Sequence, residues 1–197
     1  MKIIFATGNK GKLREAADIL GPDFELVSPA DMGITEDVEE TGATLKENSL
    51  IKARYIHERT GMNCFADDTG LEVDYLGGAP GVHSARYATD GHDFDANVRK
   101  LLSEMEACPE DGRTAHFRCV VTLIWNGEEH TFTGDMPGRI ALQKAGCGGF
   151  GYDPVFISDA FPQHTLAEMP EENKNSVSHR GQSLRAMAEW LKQNGQK

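Results

Sequence analysis

The chain has 197 residues, with 20 Lys plus Arg against 31 Asp plus Glu and a formal net charge of −11. Charged residues make up 26% and apolar residues 39%, the balance of a globular chain of one domain, or of two small lobes sharing a core. So acidic a chain lacks the basic footprint that duplex binding needs, which argues against nucleic acid as a general partner and does not exclude a small anion held by a local basic cluster.

In chain order, residues 2–6 (KIIFA) read as a short buried strand followed by a glycine-containing turn. Residues 11–20 read as an amphipathic helix with Leu13, Ala16, Ala17 and Leu20 on one stripe, and 24–28 as a second strand, after which an acidic segment runs to Glu40. Residues 41–60 read as a longer helix stopped at Gly61. FAD and LEVDYL read as strands flanking Asp67-Asp68. The following GGAPG (77–81) must be a loop, because its glycines and proline suit neither helix nor strand. Another helix is predicted over 94–105, then a hairpin of 115–125 and 130–140 around Asn126-Gly127 and two glutamates. DPVFI reads as a further strand, and from about Ser178 a last helix places Leu184, Met187, Ala188 and Leu191 on one face. Alternating strands and helices early, with antiparallel pairing later, predict a mixed-sheet α/β fold.

The most apolar stretch, 119–125, is far shorter than the roughly 20 residues a membrane span needs. The N-terminal apolar run is too short for a signal-peptide core. Cys64, Cys108, Cys119 and Cys147 form no CxxC pair and no zinc spacing, so a cytoplasmic protein with free thiols and no membrane contact is expected.

In TGNKGK (Thr7, Gly8, Asn9, Lys10, Gly11, Lys12), backbone N–H groups, a helix dipole and lysines suit phosphate. It is not a Walker A loop: Gly8 and Gly11 are too close, and Leu13 stands where the Mg²⁺-binding hydroxyl would be. A tight turn with solvated lysines is the plain alternative. In Asp67-Asp68-Thr69-Gly70, neighbouring strand residues face opposite sides, so one carboxylate can reach a cleft while the other bonds locally. Such carboxylates suit Mg²⁺ or the orientation of a water, although DDTG is also good turn chemistry.

Glu39-Glu40-Thr41-Gly42-Ala43-Thr44 enters a helix carrying Glu47, Asn48 and Lys52, the last two on one face; alone this is a solvated surface. GCGGFGYDP (146–154) spells GxGxxG, but a strand-like VFI follows instead of a helix, so the dinucleotide fingerprint is rejected. Its glycines let a flat ligand approach Phe150 and Tyr152, or leave those rings in the core. KNSVSHR (174–180) offers donors for carbonyl or phosphate oxygens, or an ordinary Ser178 N-cap. GxSxG is absent, which sets covalent hydrolase chemistry aside.

Together, ATGNKGK (6–12), EETGATLKENSLIKAR (39–54), FADDTGLEVDYLGGAPGVHSARY (65–87), GGFGYDPVF (148–156), TLAEM (165–169) and KNSVSHRGQ (174–182) resemble the inosine/xanthosine triphosphate pyrophosphatase family over nearly the whole chain. The resemblance implies an elongated mixed α/β sheet with flanking helices, two lobes of a single domain (1–197) around a substrate cleft, and a homodimer. It implies Mg²⁺-dependent hydrolysis of non-standard purine nucleoside triphosphates (ITP, dITP, XTP, dXTP) to the monophosphate and pyrophosphate.

By the same resemblance, Thr7, Gly8, Asn9, Lys10, Gly11 and Lys12 match the phosphate loop. Asp68 matches the catalytic carboxylate, read as general base, and Glu40 with Asp68 the metal site. Lys52 matches a phosphate-contacting lysine, and Thr69 stands where many relatives have serine. Phe150, Gly151, Tyr152, Asp153, Lys174, His179 and Arg180 match the base-recognition and substrate-contact set. Cys147 occupies a position where small or polar residues are usual. Donors from Lys174, His179 or Arg180 would pair with the 6-carbonyl of hypoxanthine or xanthine and oppose the 6-amino group of adenine. Guanine shares that carbonyl, so its rejection needs exclusion of the 2-amino group. A Maf-like pyrophosphatase for modified pyrimidine nucleotides and a nucleotide-binding regulator without turnover are the alternatives. Retention of Asp68, Glu40 and the lysines argues against the second, and a flavodoxin-like carrier has no positive support.

Overall fold

The computed structural model describes residues 1–36, 38–91 and 93–195. Its elements are β1 (Lys2–Phe5), α1 (Lys10–Leu20), β2 (Glu25–Val27), α2 (Leu45–Thr60), β3 (Cys64–Val73), α3 (Phe94–Glu104), β4 (Thr114–Trp125), β5 (Glu128–Ile140), β6 (Phe156–Ser158), α4 (Glu171–Ser176) and α5 (His179–Asn194). The strands form one sheet in the order β2-β1-β3-β4-β5-β6, with β1 parallel to β2 and β3, and β5 antiparallel to β6. This is the mixed α/β sheet that the sequence predicts. The described residues contain no helix long and apolar enough to cross a membrane.

The chain divides into two compact units: Met1–Asp68, Cys119–Gly134 and Arg180–Lys197 make the first, Thr69–Arg118 and Asp135–His179 the second. In the first, strand alternation sorts the side chains onto two faces. Ile3, Phe5, Phe65, Cys119, Val121 and Leu123 pack against Ala16 and Leu20 of α1 and Leu184, Met187 and Leu191 of α5. Their neighbours Ile4, Cys64, Ala66 and Ile124 pack against Ala53 and Ile56 of α2 on the other face. The connections β1-α1-β2 and β2-α2-β3 therefore lie on opposite faces, and the strand order reverses between β1 and β3. Ligands of open α/β sheets bind beyond the carboxyl ends of strands at such a switch point. The core of the second unit joins Leu71, Val73, Ala115, Met136 and Ile140 of the strands to Val98, Leu101 and Met105 at α3, with Tyr152, Phe156 and Leu166.

Several boundaries differ from the sequence-based expectation. The predicted strands on either side of Asp67-Asp68 are one continuous strand, β3, because each carboxylate meets cations on its own face and the strand has no need to turn; Asp74–Leu76 is a 3-10 turn. Helix α2 begins at Leu45 and not at 41. Thr44 Oγ1 accepts the Glu47 N–H while the Glu47 carboxylate accepts those of Ala43 and Thr44, a capping box that leaves 41–43 as loop. Gly61 ends it in the left-handed conformation, as expected. Asn126 and Gly127, both at positive φ, make the hairpin turn by themselves, so the two glutamates already belong to β5. Of DPVFI only Phe156–Ser158 is strand, since tight turns run from Phe150 to Phe156. KNSVSHR does not open one helix: Lys174 lies in the unpredicted α4, and α5 starts at His179.

One buried carboxylate ties three elements of the first unit together. Asp67 is 2% exposed and faces α1 and α5. It accepts Lys12 Nζ on both oxygens (3.0 and 2.9 Å) and Arg180 Nε on Oδ2 (3.0 Å), while Arg180 Nη1 also reaches Glu15 Oε2 at 3.1 Å. Burial opposes the charge of Asp67, but Lys12, Arg180 and Lys52 outweigh it and hold the carboxyl below the usual carboxylate range. The stability drawn from a depressed pKa is complete above the unfolded value of about 3.9 and is lost as pH falls toward the folded one. Asp67→Asn, which leaves two cations without their carboxylate, is expected to cost about 3–5 kcal/mol near neutral pH. Its stability should also fall less steeply than that of the wild type on acidification below about pH 4; urea melts at pH 7 and pH 3 measure both effects.

Candidate active site

The loop after β1 leaves the sheet at the switch point. The register Phe5↔Phe65, extended by the Ala6 N–H donating to Phe65 O at 2.8 Å, carries it alongside Asp67. Asn9 is the N-cap of α1: its Oδ1 accepts the N–H groups of Gly11 (2.8 Å) and Lys12 (3.2 Å), and its own N–H donates to Thr7 Oγ1 at 3.2 Å. Two amides that the sequence offers to phosphate are thus occupied by the Asn9 side chain. Gly8, Asn9, Lys10 and Gly11 are exposed, whereas Lys12 turns inward onto Asp67.

On the opposite face, Asp68 continues the Cys64–Ala66 alternation toward α2. Lys52 Nζ donates to Asp68 Oδ1 at 2.9 Å and to Glu40 Oε1 at 3.0 Å, so three segments distant in sequence meet at one nitrogen. Burial raises the proton affinity of Asp68, Lys52 lowers it in part, and Glu40 and Asp67 raise it further; the carboxyl ends above its ordinary value. Burial works against the Lys52 ammonium, yet Asp68, Glu40 and Asp67 more than offset it and raise its pKa. Two carboxylate oxygens from separate segments already converge on one cationic centre, the donor set of a hard divalent cation that retains waters. Among the described residues no cluster of three or more His, Cys, Asp or Glu is arranged to hold a metal. The pair therefore fits a cation completed by water or substrate oxygens rather than an all-protein cage.

Thr69 begins the second unit, and its buried hydroxyl has no hydrogen-bond partner among the described residues. Within that unit Lys174 Nζ donates to Asp153 Oδ2 at 2.6 Å, and the same oxygen accepts the Phe150 N–H at 3.1 Å. Gly149, at positive φ, allows this closure: a Cβ there would stand 2.0 Å from Asp153 Oδ2 and 2.7 Å from Lys174 Nζ. Gly151 also takes a positive φ, which leaves Phe150 68% exposed and tilted against Phe94, and sends Tyr152 into the core. The Tyr152 hydroxyl donates to Ser84 O at 2.9 Å, so of the two readings of these aromatics the core one holds for Tyr152 and the open one for Phe150. His179 stacks on Phe117, with ring centroids 5.3 Å apart at 13°.

The sequence-predicted residues thus fall into groups. Lys12 and Arg180 share Asp67, and Lys52, Glu40 and Asp68 form one cluster on the other face of β3. Lys174 and Asp153 pair in the second unit. Arg180, grouped by its motif with the base-contacting residues, binds Asp67 and Glu15 instead. Asp67 was visible in the sequence as the second half of an alternating carboxylate pair, although its cations were not. Glu15 carried no signal, since a glutamate on the first turns of a helix looks like solvated surface.

The Ham1 family model matches residues 3–190. The dITP/XTP pyrophosphatase of Porphyromonas gingivalis is 50% identical over 192 residues, covering 96% of this chain and 97% of that protein. The dITP/XTP pyrophosphatase of Christiangramia forsetii is 46% identical over 191 residues, covering 97% and 99%. Among solved structures, the Staphylococcus aureus Ham1 protein superposes with a TM-score of 0.91 at 34% identity, over 100% of both chains. The chain belongs to the Ham1 family.

Proposed function

We propose that this protein hydrolyses non-standard purine nucleoside triphosphates, dITP, ITP and XTP, to the monophosphate and pyrophosphate with Mg²⁺. The convergence of Glu40, Asp68 and Lys52 carries the reading, and the activity named for the dITP/XTP pyrophosphatases about half identical to this chain supports it. The charge balance of the first unit points the same way. Lys12, Lys52 and Arg180 are paired with Glu15, Glu40, Asp67 and Asp68, so the cluster has no cationic surplus for a triphosphate. Mg²⁺ held by Glu40 and Asp68 would supply the missing positive charge and polarise phosphate oxygens.

In this reading Asp68, Lys52, Lys12 and Thr69 serve the triphosphate. Asp68 orients a water toward the α-phosphorus and accepts its proton as the new P–O bond forms. The bond from the α-phosphorus to the bridging oxygen breaks, and the electron pair leaves with pyrophosphate. Lys52 and Lys12 stabilise the charge that develops on the departing oxygens. The Thr69 hydroxyl, buried and without a partner among the described residues, is available to a phosphate oxygen.

Lys174 and Asp153 serve the base. The Lys174 ammonium and Asp153 carboxylate present a donor and an acceptor side by side. A 6-oxopurine offers the complement, a carbonyl acceptor beside the N1–H donor, and adenine offers the reverse. Mismatched buried groups are what give large discrimination between otherwise similar substrates.

A panel of ITP, dITP, XTP, the ordinary nucleoside triphosphates and modified pyrimidine nucleotides, read by pyrophosphate release, tests the assignment; preference for the pyrimidine compounds would overturn it. Asp68→Asn should keep the wild-type circular dichroism spectrum and lower kcat by about 10²-fold or more. Chelation of divalent cations should abolish turnover, and added Mg²⁺ should restore it. Lys174→Met should narrow the kcat/KM ratio of ITP over ATP by about 10-fold to 100-fold, chiefly by slowing ITP.

A further inference from the structure

Glu40 lies on a segment that belongs to no helix or strand, so its position depends on individual contacts. Two of these come from one face of α2. Lys52 reaches the Glu40 carboxylate, and one helical turn earlier Asn48 reaches the backbone beside it. Asn48 is 2% exposed, and its Oδ1 accepts the Gly42 N–H at 2.8 Å, two residues beyond Glu40. Asparagine is a poor helix former, and burying its amide is costly unless the amide is used, so packing alone is a weak reason for this residue here. Gly42 completes the contact. A Cβ at that position would lie 2.6 Å from Asn48 Oδ1, 2.6 Å from Glu47 Cβ and 2.9 Å from Asn48 N, so any side chain pushes the segment off α2. The next two amides, of Ala43 and Thr44, are taken by Glu47 in the capping box. Among the described residues, the Gly42–Asn48 bond is therefore the neutral restraint nearest to Glu40. Unlike the Lys52 ion pair, it does not compete with a charged ligand.

We propose that Asn48 is a positioning residue, which through the Gly42 amide sets the Glu40 carboxylate for a divalent cation shared with Asp68. This rests on the reading of Glu40 and Asp68 as the cation site, and Glu40→Gln tests that reading separately. Cation binding is measured on the full chain by Mn²⁺ titration calorimetry without nucleotide, beside the Mg²⁺ concentration that half-activates turnover. Asn48→Ala is expected to weaken Mn²⁺ binding by about 10-fold to 100-fold, the range for outer-sphere partners of metal ligands. It should raise the half-activating Mg²⁺ in parallel, while the nucleotide KM at saturating Mg²⁺ stays as in the wild type. Asn48→Asp keeps an acceptor oxygen in place and should retain wild-type Mn²⁺ affinity. Gly42→Ala, which breaks the same contact from the other side, should reproduce the loss, and it decides the matter if Asn48→Ala fails to fold by circular dichroism. Wild-type Mn²⁺ affinity in folded Asn48→Ala or in Gly42→Ala overturns the proposal while Glu40→Gln still weakens binding. Equal loss in Asn48→Asp and Asn48→Ala overturns the hydrogen-bonded route. Unchanged binding in Glu40→Gln removes the underlying reading and the proposal with it.

Discussion

Successive side chains of β3 leave opposite faces of the sheet, and Asp67 and Asp68 inherit that alternation. Asp67 enters the face built by α1 and α5, where Lys12 and Arg180 close over it, and Asp68 enters the face built by α2, where Lys52 waits with Glu40. The same backbone geometry that sorts Ile3 and Phe5 from Ile4 gives the two carboxylates different neighbours and opposite shifts in proton affinity. Buried with its cations, Asp67 stays ionised and fastens helices to the strand. Asp68, with a single lysine and a second carboxylate nearby, is the better proton acceptor. A slip of one residue in the pairing of β3 would exchange their positions and put each carboxylate among the wrong partners.

Much of this was legible in the sequence because it depends on local rules. The alternation of DDTG, the Gly61 stop and the Asn126-Gly127 turn are decided by residues adjacent in the chain, and the structure follows them. Departures occur where a distant group decides. No local signal says that DD lies in mid-strand, because the cations that permit it come from positions 12, 52 and 180. Nor does KNSVSHR show that Arg180 turns toward Glu15 and Asp67 while Lys174 turns toward Asp153. The fate of the GFGYDP aromatics was equally open, since it rests on Ser84 accepting the Tyr152 hydroxyl.

Helix α2 organises the other half of the site. Its face carries Asn48 and Lys52 toward the Glu40 segment, and the Ser49 hydroxyl meets that of Thr122 at 2.6 Å in the buried layer against β4. The helix is thereby fixed both to the sheet beneath it and to the loop beside it, and Lys52 is held between Asp68 and Glu40 without needing a rigid loop. In the second unit the glycines of GGFGYDP take the corresponding role. Gly149, at positive φ, allows the chain to fold onto the Lys174–Asp153 pair, which a side chain there would displace.

In the proposed reading, the cations that meet the polyphosphate already have carboxylates of the same chain as their counterions. An anion arriving there would exchange partners with Asp67, Asp68 or Glu15 rather than release small ions from a bare basic patch. Binding by such exchange depends less on ionic strength than binding by counterion release. It also discriminates by the number of contacts that a ligand can replace at once. A single phosphate group replaces few of them, whereas a chain of three can engage several. In that reading the carboxylates would act as internal competitors of any anion at the loop, favouring a ligand that replaces several contacts at once over one that replaces few.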